Sequence, residues 1–139
     1  MPPPELLYSD NGGGIKDSTR VVIHDDSTYR EYWGRATHLQ MDPPPPRSVN
    51  FDREMVILVA AGRMTTNDQI HIDSLFLRKE PTPEGESIET LTIVVRTIEA
   101  CRRMREDAFP LEIVKARKFE GPVKWDWGKD PQCRDAPEQ

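Results

Sequence analysis

The chain has no apolar run near the roughly 20 residues that a membrane helix needs. Its longest, Met55 to Ala61, is far shorter. It has only two cysteines, Cys101 and Cys133, too few for a disulfide framework or an all-cysteine zinc site. It has no excess of positive charge. The formal net charge is −5, and without a basic surface general binding to nucleic-acid phosphates is not expected. The first residues, Met-Pro-Pro-Pro-Glu, lack the basic and apolar regions of a secretory signal. No G-x-S-x-G, P-loop, dinucleotide fingerprint or H-E-x-x-H occurs. No strand is expected before Gly12-Gly13-Gly14, and its spacing is not that of a phosphate loop. These absences predict a soluble, cytoplasmic, reduced protein with no membrane segment of its own.

What the chain has is proline. Its 139 residues fit one domain. Thirteen prolines, clustered at Pro2-Pro3-Pro4, Pro43 to Pro46 and Pro81/Pro83, shorten the part that folds. A polyproline run neither continues a helix nor sits in a central strand. Three regions are expected. Residues 1–19 form a flexible Pro/Gly-rich arm. Residues 20–118 form a β-rich domain, and 119–139 a polar tail carrying a tryptophan pair.

Within the domain, Arg20 to His24 is a β-branched run that predicts a strand. Asp25-Asp26-Ser27-Thr28 is a helix start, with Thr28 and Glu31 spaced as a capping box. Tyr29, Tyr32, Trp33 and Ala36 share one side of a helix over about 28–38. Gly34 inside it costs about 1 kcal/mol relative to alanine. Pro43 to Pro46 then form an extended spacer. Met55 to Ala61 is apolar at both alternating phases, the pattern of a central strand buried on both faces. Gln69 to Asp73 alternates as a half-buried strand and continues to Leu77 with a bulge near Ser74. Arg78 to Glu89 predicts a polar hairpin loop. Leu91 to Arg96 is another strand, and Pro110 opens a further one through Lys115. The fold class is α+β, mainly β: a small antiparallel sheet or sandwich of about five strands, with one helix near the N-terminus.

Few residues suggest chemistry. His24, Asp25 and Asp26 are adjacent, but neighbouring strand residues face opposite ways, and capping explains them better than a metal does. His71 and Asp73 share a strand face, as solvent-facing polar residues do. Cys101 lies among Arg102, Arg103 and Arg105, which would lower a thiol pKa. No base for it is indicated, so a loop thiol without catalytic duty is expected. Cys133 is expected to be free. No cofactor, metal site or catalytic residue is expected. Val123, Trp125 and Trp127 stand at period two in a polar tail, either folded back on the sheet or docked on a partner. Arg102, Arg103 and Arg105 suit an acidic partner or lipid phosphates.

The order of segments resembles the PrcB C-terminal-like domain family, an accessory subunit of a bacterial protease complex. The resemblance is carried by Arg20 to Asp25, the helix through Tyr29 to Trp33, Val49-Asn50-Phe51-Asp52-Arg53-Glu54-Met55-Val56-Ile57, and Pro110 to Lys115. It covers about residues 20–116. The paired glycines of that family's turn are Thr66 and Asn67 here. The resemblance implies a bacterial, non-catalytic accessory subunit. Such a subunit would bind and stabilise a larger protein assembly, extrinsic to a membrane complex where the partner sits at the inner membrane. Partner contacts are then expected from Trp125, Trp127, Val123, Arg102, Arg103, Arg105, Pro2, Pro3 and Pro4. The alternatives are a protease inhibitor or regulator, using a sheet edge or Arg63 to Asp68, and an enzyme using Cys101 or His71.

Overall fold

A computed structural model describes residues 1–101 and 106–130. Strands β1 (Glu5–Asp10), β2 (Thr19–Ile23), β3 (Glu54–Ala60) and β8 (Leu111–Arg117) form an antiparallel sheet in the order β1-β8-β3-β2. Helix α1 (Asp26–Thr37) covers one face of it. Strands β5 (Gln69–Pro81), β6 (Ser87–Ile98) and β9 (Val123–Asp130) form a second sheet across the other face. The two-residue strands β4 (Met64–Thr65) and β7 (Asp107–Ala108) pair beside them. Among the described residues the architecture is a mainly β sandwich with one helix, as its sequence pattern predicts.

The layers follow from β3. Val56, Leu58 and Ala60 face the helix side, with Leu7, Ile15, Ile23, Tyr29, Trp33, Ala36, Leu111 and Ile113. Met55, Ile57 and Val59 face the second sheet, with Ile70, Ile72, Leu75, Leu91, Ile93, Val95, Val114 and Ala116. Residues 55–60 are all fully buried, because apolar side chains at both phases of a strand require cover on both sides.

The helix begins one turn earlier than the Thr28/Glu31 spacing suggests. Asp25 is the cap, its Oδ2 accepting from the Thr28 amide at 2.9 Å. Tyr29 and Trp33 are buried, and each gives its polar hydrogen to a carbonyl in or directly after the proline spacer. Tyr29 Oη donates to the Arg47 carbonyl and Trp33 Nε1 to the Pro44 carbonyl, both at 2.8 Å. The spacer is thus fastened across the helix. Tyr32 lies at the margin of the same core, half-buried.

Four expectations are corrected. The segment 1–19 is not an arm. β1 pairs with β8 from Glu5↔Lys115 to Asp10↔Leu111, and Leu7 and Ile15 enter the helix-side core. The triple glycine is a packing feature rather than a flexible link. A Cβ on Gly13 would strike the Leu111 side chain, and one on Gly14 the Arg35 carbonyl. The predicted loop 78–89 is mostly ladder, since β5 and β6 stay paired from Gln69↔Ile98 to Pro81↔Ser87. They turn only at Thr82 to Glu86, where Gly85 takes φ +86°. The tail from residue 119 supplies β9, which pairs parallel to β6 and not antiparallel. The chain leaves β6, crosses to β8 in the first sheet and returns, so β9 enters the second sheet in the same direction as β6. The bulge is where the sequence puts it, with the register of β5 shifting between Ile72 and Ser74.

Candidate functional site

Strand β8 alternates strictly. Leu111 and Ile113 point to the helix side, and Val114 and Ala116 to the second sheet. Glu112 shares the phase of Val114 and Ala116, and at 6% exposure it is a carboxylate where an aliphatic side chain is expected. Its partners come from β5. Oε1 accepts from the Ile72 amide at 2.8 Å, and Oε2 lies 3.0 Å from His71 Nδ1. The β5 bulge follows directly, and β5 is an edge strand of its sheet. Glu112 therefore satisfies an edge amide and ties the two sheets together.

His71 Nε2 lies 3.0 Å from Gln69 Oε1. A doubly protonated ring donates to both oxygens as they stand. A neutral ring with its proton on Nδ1 needs the Gln69 amide turned so that its nitrogen donates. The site is a carboxylate–imidazole pair, one partner buried and the other half-exposed. Asp73, the expected companion of His71, is exposed beyond it. The sequence reading missed Glu112, although its signal was there: a charged residue at the phase of Val114 and Ala116.

A second buried carboxylate braces the turn after β4. Asp68 is fully buried. Its Oδ2 accepts from the Thr65 amide and hydroxyl at 2.8 Å each, and its Oδ1 from the Ala100 amide at 2.9 Å. Arg63 at the start of this turn pairs with Asp107 at 3.1 Å and is largely exposed.

Cys101 is disulfide-bonded, and no free cysteine occurs among the described residues. This corrects the expectation of a reduced thiol there, and a bonded sulfur offers no thiolate nucleophile. Arg102, Arg103, Arg105 and Cys133 lie outside the described residues. Among the described residues no group of three His, Cys, Asp or Glu is placed to hold a metal ion. His24, Asp25 and Asp26 resolve into a strand end and a helix cap.

Val123, Trp125 and Trp127 pack, half-buried, against the core between the sheets. The Arg20 guanidinium lies 5.4 Å from the centre of the Trp127 ring. The pair therefore folds back on its own domain while leaving part of each ring accessible. Pro2 and Pro3 wall a surface depression together with Arg53 and Arg117, and Met1 packs at the rim of the same core. No described helix is long and apolar enough to cross a membrane.

Two tyrosines on the helix side titrate away from their ordinary range. Burial, with the Asp10 carboxylate hydrogen-bonded beside it, pushes the Tyr8 phenol up to about 12. Tyr8 donates to Asp10 Oδ2 at 2.9 Å, and Gln40 donates to both. Burial also raises the Tyr29 phenol. No family model, no curated protein and no solved structure matches this chain.

Proposed function

We propose that the protein is a non-catalytic accessory subunit that binds and stabilises a larger protein assembly. The observation that carries this is the β5–β6 hairpin. β9 pairs with β6 only from Leu91 to Ile98, so the ladder from Arg78 to Glu89 extends past its sheet neighbour. Nearly all of those residues are exposed. Leu77 at its base and Ile88 near its tip are 37% and 42% exposed, unusual for large aliphatic side chains in a ladder. A two-stranded ribbon standing out from a packed sandwich presents contact surface at little ordering cost, because the ladder already fixes its backbone.

The hairpin takes over the role that the terminal segments were expected to play, since Glu5 to Asp10 and Val123 to Asp130 are built into the sheets. The resemblance of Val49 to Ile57 to the PrcB C-terminal-like pattern supports the same reading. A peripheral place at the inner membrane would come from the partner.

The experiment compares the intact chain with a variant in which residues 79–89 are replaced by an Asn-Gly turn between the paired Arg78 and Thr90. Native capture followed by mass spectrometry should recover a defined partner with the first and lose it with the second, at an unchanged melting temperature. Equal recovery from both would overturn the proposal, as would the absence of any stoichiometric partner.

A second reading, a protease inhibitor or regulator, is favoured by the Arg63 to Asp68 turn. It offers an exposed arginine on a turn held by the buried Asp68. Under this reading the protein slows cleavage by a protease that cuts after arginine. An unchanged rate across such proteases would dismiss it.

A further inference from the structure

The segment between α1 and β3 is pinned at intervals and bare in between. Gln40 Nε2 donates to Tyr8 Oη at 2.9 Å and to Asp10 Oδ2 at 2.7 Å. The Pro44 carbonyl accepts from Trp33 Nε1, and the Arg47 carbonyl from Tyr29 Oη. The Arg47 guanidinium donates to the Leu6 carbonyl at 3.0 Å, and Val49 packs on the helix-side core. Between these anchors five apolar side chains stay at the surface. Leu39 is 57% exposed, Met41 is fully exposed, and Pro43, Pro44 and Pro45 are exposed as well. A single apolar residue on a surface needs no explanation, but a contiguous strip held in place by buried donors does.

The anchors also report the shape of the strip. Proline fixes its own φ and pushes the residue before it away from the helical region. A run of prolines therefore winds as a polyproline helix, with about three residues per turn. The two bonded carbonyls, of Pro44 and Arg47, stand three apart in sequence, as one edge of such a helix requires. That edge faces Tyr29 and Trp33. Among the described residues no donor reaches the carbonyls of Pro43, Pro45 or Pro46.

The outer edges offer apolar rings and acceptors but no backbone donor, because proline has no N–H. This chemistry selects the partner. A sheet edge cannot add a segment that gives no ladder donors, and a groove for an amphipathic helix cannot take one that never coils as a helix. A lipid surface would leave the carbonyls without donors. The complement is a groove of aromatic rings carrying N–H and O–H donors. Trp33 and Tyr29 already make that pairing on the inner edge.

We infer that the strap from Leu39 to Pro46 docks into an aromatic-lined polyproline groove on a partner protein. Pro43 and Pro45 enter the groove, and Met41 and Leu39 lie along its apolar margin. The anchors fix the strap in advance, so docking costs little ordering. The inference rests on the accessory-subunit reading and names the chemistry of a partner. Its surface is separate from the hairpin, since the strap lies on the helix side and the hairpin belongs to the second sheet.

The probes are purified, isotope-labelled SH3 and WW domains, titrated with the intact chain while the indole N–H resonance of each groove is followed by NMR. At least one class should bind, with its groove indole shifting. Pro43→Ser and Pro45→Ser should each weaken that binding roughly tenfold, the scale of losing one hot-spot side chain. Met41→Ser should weaken it by a smaller factor, and Pro83→Ser, at the hairpin turn, should leave it unchanged. All four positions are exposed, so the melting temperatures should stay close to that of the intact chain. No groove shift with either class overturns the inference, and so does binding that both proline variants retain in full. Binding to phosphatidylcholine–phosphatidylglycerol vesicles in place of the domains, lost in Met41→Ser, makes the strip a lipid contact and also overturns it. Self-association in place of domain binding, lost in Pro43→Ser, assigns the strip to a second copy and does the same. The two readings fail separately. If neither domain class binds while the hairpin-shortened variant loses a captured partner, only the inference falls. If the intact chain captures no stoichiometric partner, the accessory-subunit reading falls whatever the domains do.

Discussion

Strand β3 is covered by a helix on one face and by a sheet on the other, and the two covers are built differently. On the helix side the elements β2, α1 and β3 follow one another in the chain. Aromatic rings fill that side: Tyr29 packs edge-on against Trp33 and Phe51, with ring centres 5.8 Å apart in each case. The Tyr29 hydroxyl donates to the Arg47 carbonyl, just after the proline spacer, and the Trp33 indole to the Pro44 carbonyl within it. The other side is aliphatic, closed at its margin by half-buried Trp125 and Trp127 and tied across by Glu112. Its cover arrives late, from a hairpin and from a strand that returns after β8. Local elements can seal a face with large side chains whose polar groups find nearby backbone. A face sealed by distant strands is sealed by area and by a few specific ties between sheets.

The sharpest test uses two neighbours on one strand. Leu58→Ala removes packing from the helix side and Ile57→Ala from the sheet side, both from fully buried positions. Each should cost about 2–5 kcal/mol in urea unfolding. A loss under about 1 kcal/mol for Ile57→Ala alone would mean that the second sheet is not packed on the first. The aromatics offer a second contrast. Trp33→Ala should cost about 3–5 kcal/mol, as for a buried tryptophan. Trp127→Ala should cost distinctly less, because its ring is only partly covered. Equal losses would move the closing contacts of the two faces onto the same footing.

Glu112 tests the tie between sheets. Glu112→Ala leaves the Ile72 amide without its acceptor and should cost about 1–3 kcal/mol. Glu112→Gln keeps an acceptor for that amide and should recover most of the loss. If both substitutions are neutral, the tie contributes nothing and area alone holds the sheets together.

The smallest effects are titrations on the helix side. The Tyr8 phenol is raised to about 12, so the stability it contributes is complete below pH 10 and is lost as pH climbs from 10 through 12. Absorbance titration should show Tyr8 and Tyr29 ionising above the ordinary tyrosine value, and Asp10→Asn should bring Tyr8 down. At the acid end, the hydrogen bond from the Thr28 amide holds Asp25 below its ordinary value of 3.8. Its contribution is present above that value and is lost as pH falls below it. Asp25→Asn keeps a capping oxygen without a charge. The difference in melting temperature between the two proteins should therefore change only below about pH 4. A constant difference across that range would assign the cap no electrostatic part.

How much of this was legible depended on distance along the chain. The two-faced burial of β3 was readable from Met55 to Ala61, because alternation reports burial directly. So were the helix face of Tyr29 and Trp33, and the β5 bulge. β1 was not readable. Glu5 to Asp10 is half polar, and it becomes a strand because β8, about a hundred residues later, offers it an edge. Gly13 and Gly14 looked like a loose link because a sequence does not show the Leu111 and Arg35 atoms that press on them. The candidate sites were hidden for the same reason. His71 was noticed, but Glu112 gains meaning only when β8 crosses the edge of β5.

The sequence by itself determined the class of the fold, the buried central strand, the helix and its apolar face, and the absence of a long apolar helix. These depend on spacing between near neighbours, where periodicity and capping act. Tertiary structure alone decided that Glu5 to Asp10 and Val123 to Asp130 are strands, that β9 runs parallel to β6, and that a glutamate joins two sheets. Those outcomes depend on pairings between segments tens of residues apart, and no local preference encodes them.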